Sequence, residues 1–312
     1  MEAVGYDVNQ KNMSAGMEEN APRKARTWKT FLPALLLLAP IALFISGFFI
    51  VPMLYILYLS FIQTEGLDTS NAVYSLHNYI LFFTDSYYLS ALWLTVKLSL
   101  YAVVVSLLVG YPVAVTLSKC SPRGRAWLTL LIAAPLLISL VVRTFGWYLL
   151  LSPNGTVNQL LMALGIIQSP VKLLFSEIGV VVGLSNAYLP FMILAIATSL
   201  YNIDPSLTKA SAIFGAGPVR TFLSVTLPLS LPGVVAGSML VFSMCMSAYV
   251  TPALMGGANV PMLPVLVYDQ ILHLLRWTYG SAISYVLLGV TLVIVTFVTR
   301  MFEKGVFKEV FR

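Results

Sequence analysis

The sequence predicts an all-α membrane protein with six transmembrane helices, and three observations carry that prediction. Hydrophobic residues make up 59% of the 312-residue chain and charged residues 10%, whereas charged residues are about a quarter of a soluble domain. Six apolar runs are long enough to cross a hydrocarbon core of about 30 Å, which takes roughly 20 helical residues. Lysine and arginine collect in every second connection, the pattern of loops kept on the cytoplasmic side.

The runs follow in order. Phe31 to Phe61 is long enough to tilt, and Pro33, Pro40 and Pro52 are expected to bend it. It exceeds a signal-peptide core and no small-residue cleavage site closes it, so it reads as a retained helix. Ser90 to Leu117 and Ala126 to Leu151 are the second and third spans. Ile178 to Tyr201, Leu229 to Leu254 and Tyr279 to Met301 are the last three.

The connections set the orientation. Lys11, Arg23, Lys24, Arg26 and Lys29 precede the first span, and residues 1–30 read as a polar tail against the anionic leaflet. Lys119, Arg123 and Arg125 follow the second span, Lys209 and Arg220 the fourth, and Arg300, Lys304, Lys308 and Arg312 end the chain. The alternate connections hold only Lys172 and Arg276, and that at 62–89 carries Glu65, Asp68 and Asp85 without a base. Both termini are therefore expected in the cytoplasm. The net charge of +6 follows from this asymmetry, so a nucleic-acid partner, which needs a concentrated basic patch, is not indicated. Membrane lipid is the expected surroundings.

Cys120 and Cys245 are too far apart in the topology for a disulfide and offer no metal-ligand spacing, while His77 and His273 read as interfacial polar residues. No metal site and no catalytic nucleophile with a base lies in the spans, so the chain does not read as an enzyme. In the 152–177 connection, Ser152-Pro153-Asn154-Gly155 is a turn, and Val157 to Leu164 a short helix stopped by Gly165. Lys97 is expected to carry its charge along its stem to the outer surface. Arg143, Asn186 and Tyr188 are polar groups within spans, where such groups face a cavity or partner. Pro190 frees a backbone carbonyl beside them.

The connection at 203–228 is basic and punctuated by glycine. Asp204 caps and Pro205 opens a short helix toward Phe214, with Leu207, Ala210 and Phe214 on one face and Gly215 as its stop. Gly217-Pro218 starts a second helix leading to Leu227-Pro228. Two short helices at the cytoplasmic surface make a plug for a partner's groove.

Ala210-Ser211, Gly215, Val225 and Leu227-Pro228 resemble the EAA loop of ABC importer permeases: Glu-Ala-Ala, three residues, Gly, nine residues, Ile, one residue, Leu-Pro. Gly110-Tyr111-Pro112, Arg143-Thr144 with Trp147, Leu189-Pro190-Phe191, and Pro252-Ala253-Leu254 ahead of Gly256-Gly257 resemble the spermidine/putrescine branch. The resemblance covers about residues 30–300 and implies the type I importer permease (MetI-like) fold for the domain at 31–312. It implies a bacterial inner-membrane subunit that moves a small organic solute, a polyamine of the spermidine/putrescine kind, delivered by a periplasmic binding protein. Coupling to ATPase falls on Lys209, Ala210, Ser211, Phe214, Gly215, Leu227 and Pro228. The pattern's glutamate is Lys209 here, an ammonium that can only donate where a carboxylate would accept.

The resemblance also implies two ATPase subunits and a second permease subunit, here expected to differ from this chain. No GxxxxGK[ST] occurs, so ATP and Mg are expected on the ATPase and no cofactor in this chain. The substrate path is expected to pass Arg143, Trp147, Asn186, Tyr188, Ser247 and Tyr249. With no Asp or Glu at mid-membrane depth, a polycation must use aromatic faces and carbonyls, or a partner's acids. An opine, an aminophosphonate or another small organic solute is the alternative. A stand-alone ion-coupled carrier or channel, the alternative of another class, would call for an intramembrane carboxylate and leaves the EAA spacing without a reason.

Overall fold

The structure is a computed structural model that describes residues 31–63 and 73–305, with the side chains of 31–37 and 303–305 left aside. The tail at 1–30, Glu65, Asp68 and the last bases lie outside the described residues. The chain divides into two compact units, Met1–Tyr55 and Ile56–Arg312.

The first unit contains α1 (Phe31–Ile45), a π-helical turn (Ser46–Ile50) and the start of α2 (Val51–Ser60). Pro52 has no N–H for the carbonyl of Phe48, and the wider turn just ahead of it absorbs that loss. Its apolar side chains are exposed, Phe48 by 76%.

In the second unit, a small hairpin pairs Ile62 with Tyr74 and Gln63 with Val73. Asn78 in α3 (His77–Thr84) braces it by donating to the Ile62 carbonyl at 2.9 Å. Asp85 then caps α4 (Ser86–Lys119) by accepting from the Tyr87 N–H. The core forms where α4 packs on α8 (Glu177–Tyr201), which packs in turn on α11 (Leu227–Met246). α8 is the buried axis: Val180, Leu184, Met192 and Ile196 are fully enclosed. Small residues let these backbones approach, as in other helix pairs within membranes. A Cβ at Gly233 would lie 2.7 Å from the Ala195 carbonyl oxygen. Ser185 donates to the Ala102 carbonyl at 3.3 Å, and Tyr111 meets Ser230 at 2.7 Å, two polar contacts that tie helices together within the bundle.

Two expected spans are broken. The third divides into α5 (Pro122–Ala133) with a tight turn at Ala134–Leu137, and α6 (Leu140–Leu151), bent by 91° where Ile138 and Ser139 are extended. Pro135 explains the break, since its ring collides with the preceding turn and gives no N–H. The fifth stops at Met246 rather than continuing to Leu254, and α12 (Val250–Met255) begins after Ser247, Ala248 and Tyr249. Pro252 sits in the first turn of α12, where no helical N–H is required. Five helices among the described residues are long and apolar enough to cross a membrane, with the bent pair as a sixth.

The remaining elements match the expected punctuation. α7 (Thr156–Ala163) ends before Gly165 at φ +70°, and α14 (Trp277–Gly305) forms the last span. Between them lie α9 (Pro205–Ile213), α10 (Pro218–Thr221) running through a π-turn into α11, and α13 (Leu263–Tyr268) followed by a π-turn at Asp269–His273.

Candidate functional site

The expected coupling segment is a helix with its apolar end turned outward. Asp204 accepts from the Ser206 N–H at 2.8 Å and opens α9. That bond holds its carboxyl below the usual carboxylate range. The charged cap is therefore present above the ordinary carboxylate pKa and is lost as pH falls through the lowered value. Gly215, at φ +78°, closes the helix in the left-handed region that a side chain would strain. Ile213 and Phe214 just before it are 83% and 90% exposed. Lys209 and Ala210 are also exposed, whereas Ser211 turns inward to Thr221 of α10 at 3.0 Å. That bond fixes α9 against α10, whose chain continues into α11 at the half-buried Leu227 and Pro228. A movement of α9 is thus tied to the foot of α11. A cavity of about 570 Å³ lies beneath α9, lined by Ser118 and Lys119 of α4 and by Thr208, Ala212 and Phe222.

The six expected path residues separate into groups. Tyr188 is 9% exposed and belongs to the main core cluster. Trp147, one turn beyond Arg143, packs against the same core cluster as Tyr188. The Nε and Nη1 of Arg143 are buried with no hydrogen-bond partner among the described residues. The neighbouring Thr144 reaches Thr251 of α12 at 3.3 Å, which anchors α6 to α12. Asn186 is half-buried on α8, and Pro190 deprives its carbonyl of the usual helical donor. Ser247 and Tyr249 line a different cavity, of about 490 Å³, together with Tyr268. That cavity follows the helix break after Met246, and Arg143, Trp147 and Tyr188 are not among its lining residues.

Lys97 does not simply reach for the surface. Its Nζ lies 2.7 Å from Glu177 Oε1, joining α4 to the first turn of α8. Sequence reasoning passed over Glu177, Thr251, Tyr268 and Asp269. The first had a legible signal, a base near one end of a span and an acid at the start of another. The others come near their partners only through the helix breaks. Among the described residues, no three His, Cys, Asp or Glu side chains gather to hold a metal ion.

A transmembrane bundle with a short exposed helix between its fourth and fifth spans defines the class: a permease subunit of an ABC importer, a transport component rather than an enzyme. The comparisons agree with it. The chain is 32% identical over 237 residues to the spermidine/putrescine transport system permease protein PotB of Haemophilus influenzae, covering 76% of this chain and 82% of that one. It is 30% identical over 262 residues to PotB of Escherichia coli K12, covering 83% and 95%. A solved bacterial ABC transporter involved in alginate import shares the fold at a TM-score of 0.73 and 18% identity, over 90% of this chain and 99% of that one. No family model matches the chain. The chain belongs to the PotB family of spermidine/putrescine transport system permeases, and is a multi-pass membrane protein.

Proposed function

We propose that this chain is the inner-membrane subunit that carries a linear polyamine of the spermidine/putrescine kind inward, powered by a separate ATPase. The observation that carries the coupling half of this reading is the exposed end of α9, where Ile213 and Phe214 stand free beside Gly215. Two apolar side chains at a helix end, with Leu207 and Val219 of the same connection also exposed, suit insertion into a partner's cleft. The relatives' named solutes carry the substrate half. ATP and Mg belong on two ATPase subunits, solute arrives from a periplasmic binding protein, and a second, different permease subunit completes the pathway. Both termini face the cytoplasm in this arrangement, on the charge asymmetry of the loops.

The test is reconstitution of the whole complex in proteoliposomes. Phe214→Asp is expected to leave the permease inserted and to lower binding-protein-stimulated ATP hydrolysis at least tenfold, by placing a charge in an apolar cleft. Stimulation equal to wild type would show that α9 is only a connector.

A second reading has its own observation. The buried, unpartnered Nε and Nη1 of Arg143 would suit a solute carrying a carboxylate or phosphonate, which a guanidinium grips with two parallel bonds. Lysine does not reproduce that fork. If the solute is anionic or zwitterionic, Arg143→Lys should cut its uptake strongly, while polyamine uptake in the same variant should change little.

A further inference from the structure

The spans present a cation's path with no carboxylate at mid-depth, and the tertiary structure brings one close to it. α11 ends at Met246, some 30 Å from its foot at Leu227 by helical rise, and therefore at the end of the bundle remote from the coupling helix. There the chain breaks, and Tyr249 stacks on Tyr268 with ring centroids 4.3 Å apart and planes 23° from parallel. Tyr268 precedes the π-turn that begins at Asp269, and His273 of the same turn packs on Tyr268 at a centroid distance of 5.4 Å, which places Asp269 beside the ring pair. One carboxylate oxygen of Asp269 meets His273 Nδ1 at 2.9 Å, while Oδ2 has no partner among the described residues.

We propose that Tyr249, Tyr268 and Asp269 form an alkylammonium-binding site that takes one charged end of a linear di- or polyamine on its way through the permease. The inference rests on the polyamine reading above and names the residues that would read the amine. Each part of such a ligand has a counterpart. The ammonium has the Asp269 carboxylate and the outer face of Tyr249 in the stacked pair, both attractive to a cation. The methylene chain has the apolar wall of the 490 Å³ cavity that the two tyrosines line with Pro264, Val267 and Leu272. The Ser247 and Ser284 hydroxyls on the same wall offer acceptors to a second nitrogen. Arg143, which would repel the ligand, is not among the lining residues.

The site is also built to hold its shape. Gln270, next to Asp269, donates to Tyr88 of α4 at 2.8 Å. Gly280 of α14 lets the π-turn lie against it, since a Cβ there would come within 2.5 Å of Ile271 Cγ1. The His273 ring meets Tyr268 at a centroid distance of 5.4 Å with the planes 88° apart, so one residue braces both the ring pair and the Asp269 carboxylate. An arriving ammonium binds at Oδ2 or displaces the imidazole from Oδ1.

The experiment measures equilibrium binding of radiolabelled putrescine to the permease–ATPase complex in nanodiscs, without the binding protein, alongside uptake of the same amine by the complete system. Saturable binding is expected for wild type. Asp269→Asn and Tyr249→Ala should each weaken it at least tenfold, with Asp269→Glu and Tyr249→Phe recovering most of the affinity, and with unchanged complex assembly. Uptake of putrescine without saturable binding, or binding that Asp269→Asn and Tyr249→Ala leave within twofold, overturns the site and leaves polyamine import standing. Absence of both putrescine and spermidine uptake by wild type sinks the polyamine reading, and the site with it.

Discussion

Lys97 shows how far one residue's role depends on what the fold sets against it. A lysine inside a span reads as a charge seeking the surface, yet its ammonium ends 2.7 Å from a carboxylate on the helix that forms the core's axis. The side chains are 28% and 46% exposed, so water and salt screen the pair and its contribution is modest. A double-mutant cycle with Lys97→Met and Glu177→Gln is expected to give a coupling of about 0.2–1 kcal/mol. Thermal unfolding of the purified complex at low and high salt checks it: the coupling should shrink as salt rises. A coupling of several kcal/mol would mean that the pair is sealed from solvent by a partner subunit. Lys209 is the contrasting case. It stands where the EAA pattern has glutamate, and it is exposed on α9, free to meet a carboxylate on an ATPase.

At the scale of elements, prolines and glycines decide more than the apolar runs do. Pro135 breaks the third span, and the chain between Met246 and Pro252 breaks the fifth, so that α6 and α12 come together through Thr144 and Thr251. Without those breaks Tyr249 would continue along α11 and would not stack on Tyr268. Gly233 does the opposite work by letting α11 lie against α8. Gly233→Val places carbon within 2.7 Å of the Ala195 carbonyl oxygen and 2.5 Å of Ser199 Cβ, so backbone must move. Overpacking of this kind costs about 1–3 kcal/mol or more, and the variant is expected to unfold at lower temperature in detergent. Gly146, around which a Cβ would meet nothing within 4 Å, is the control, and Gly146→Ala should be close to neutral. Equal melting of the two variants would refute the close packing of α8 and α11.

At the scale of the whole molecule, orientation is written in the loops and coupling in the order of the helices. α9 and Tyr249 lie at opposite ends of α11, so in the proposed function a push at the ATPase side and a grip on solute would share one helix. Single cysteines replacing Arg123 and Lys209 are expected to label from the cytoplasm, and one replacing Asp269 from the opposite face. Labelling of Lys209→Cys and Asp269→Cys from the same side would remove both the six-span topology and the proposed site.

The sequence by itself determined the class of molecule, most of the places where chain crosses or turns, and the short helix at Pro205–Ile213. Those properties are local: a run of apolar residues, the cap at Asp204, the left-handed glycine at 215 and the EAA spacing lie within a few turns of one another and need no distant partner. The expected solute path was drawn as a set of residue types, Arg143, Trp147, Asn186, Tyr188, Ser247 and Tyr249, but not as a place. Only the tertiary structure decided that Trp147 packs against the cluster that holds Tyr188, while Tyr249 stacks on Tyr268 beside the Asp269–His273 pair. The physical reason is that a single break rotates and redirects everything after it. Which rings and charges then meet depends on helices far apart in sequence, whose packing the apolar pattern leaves open.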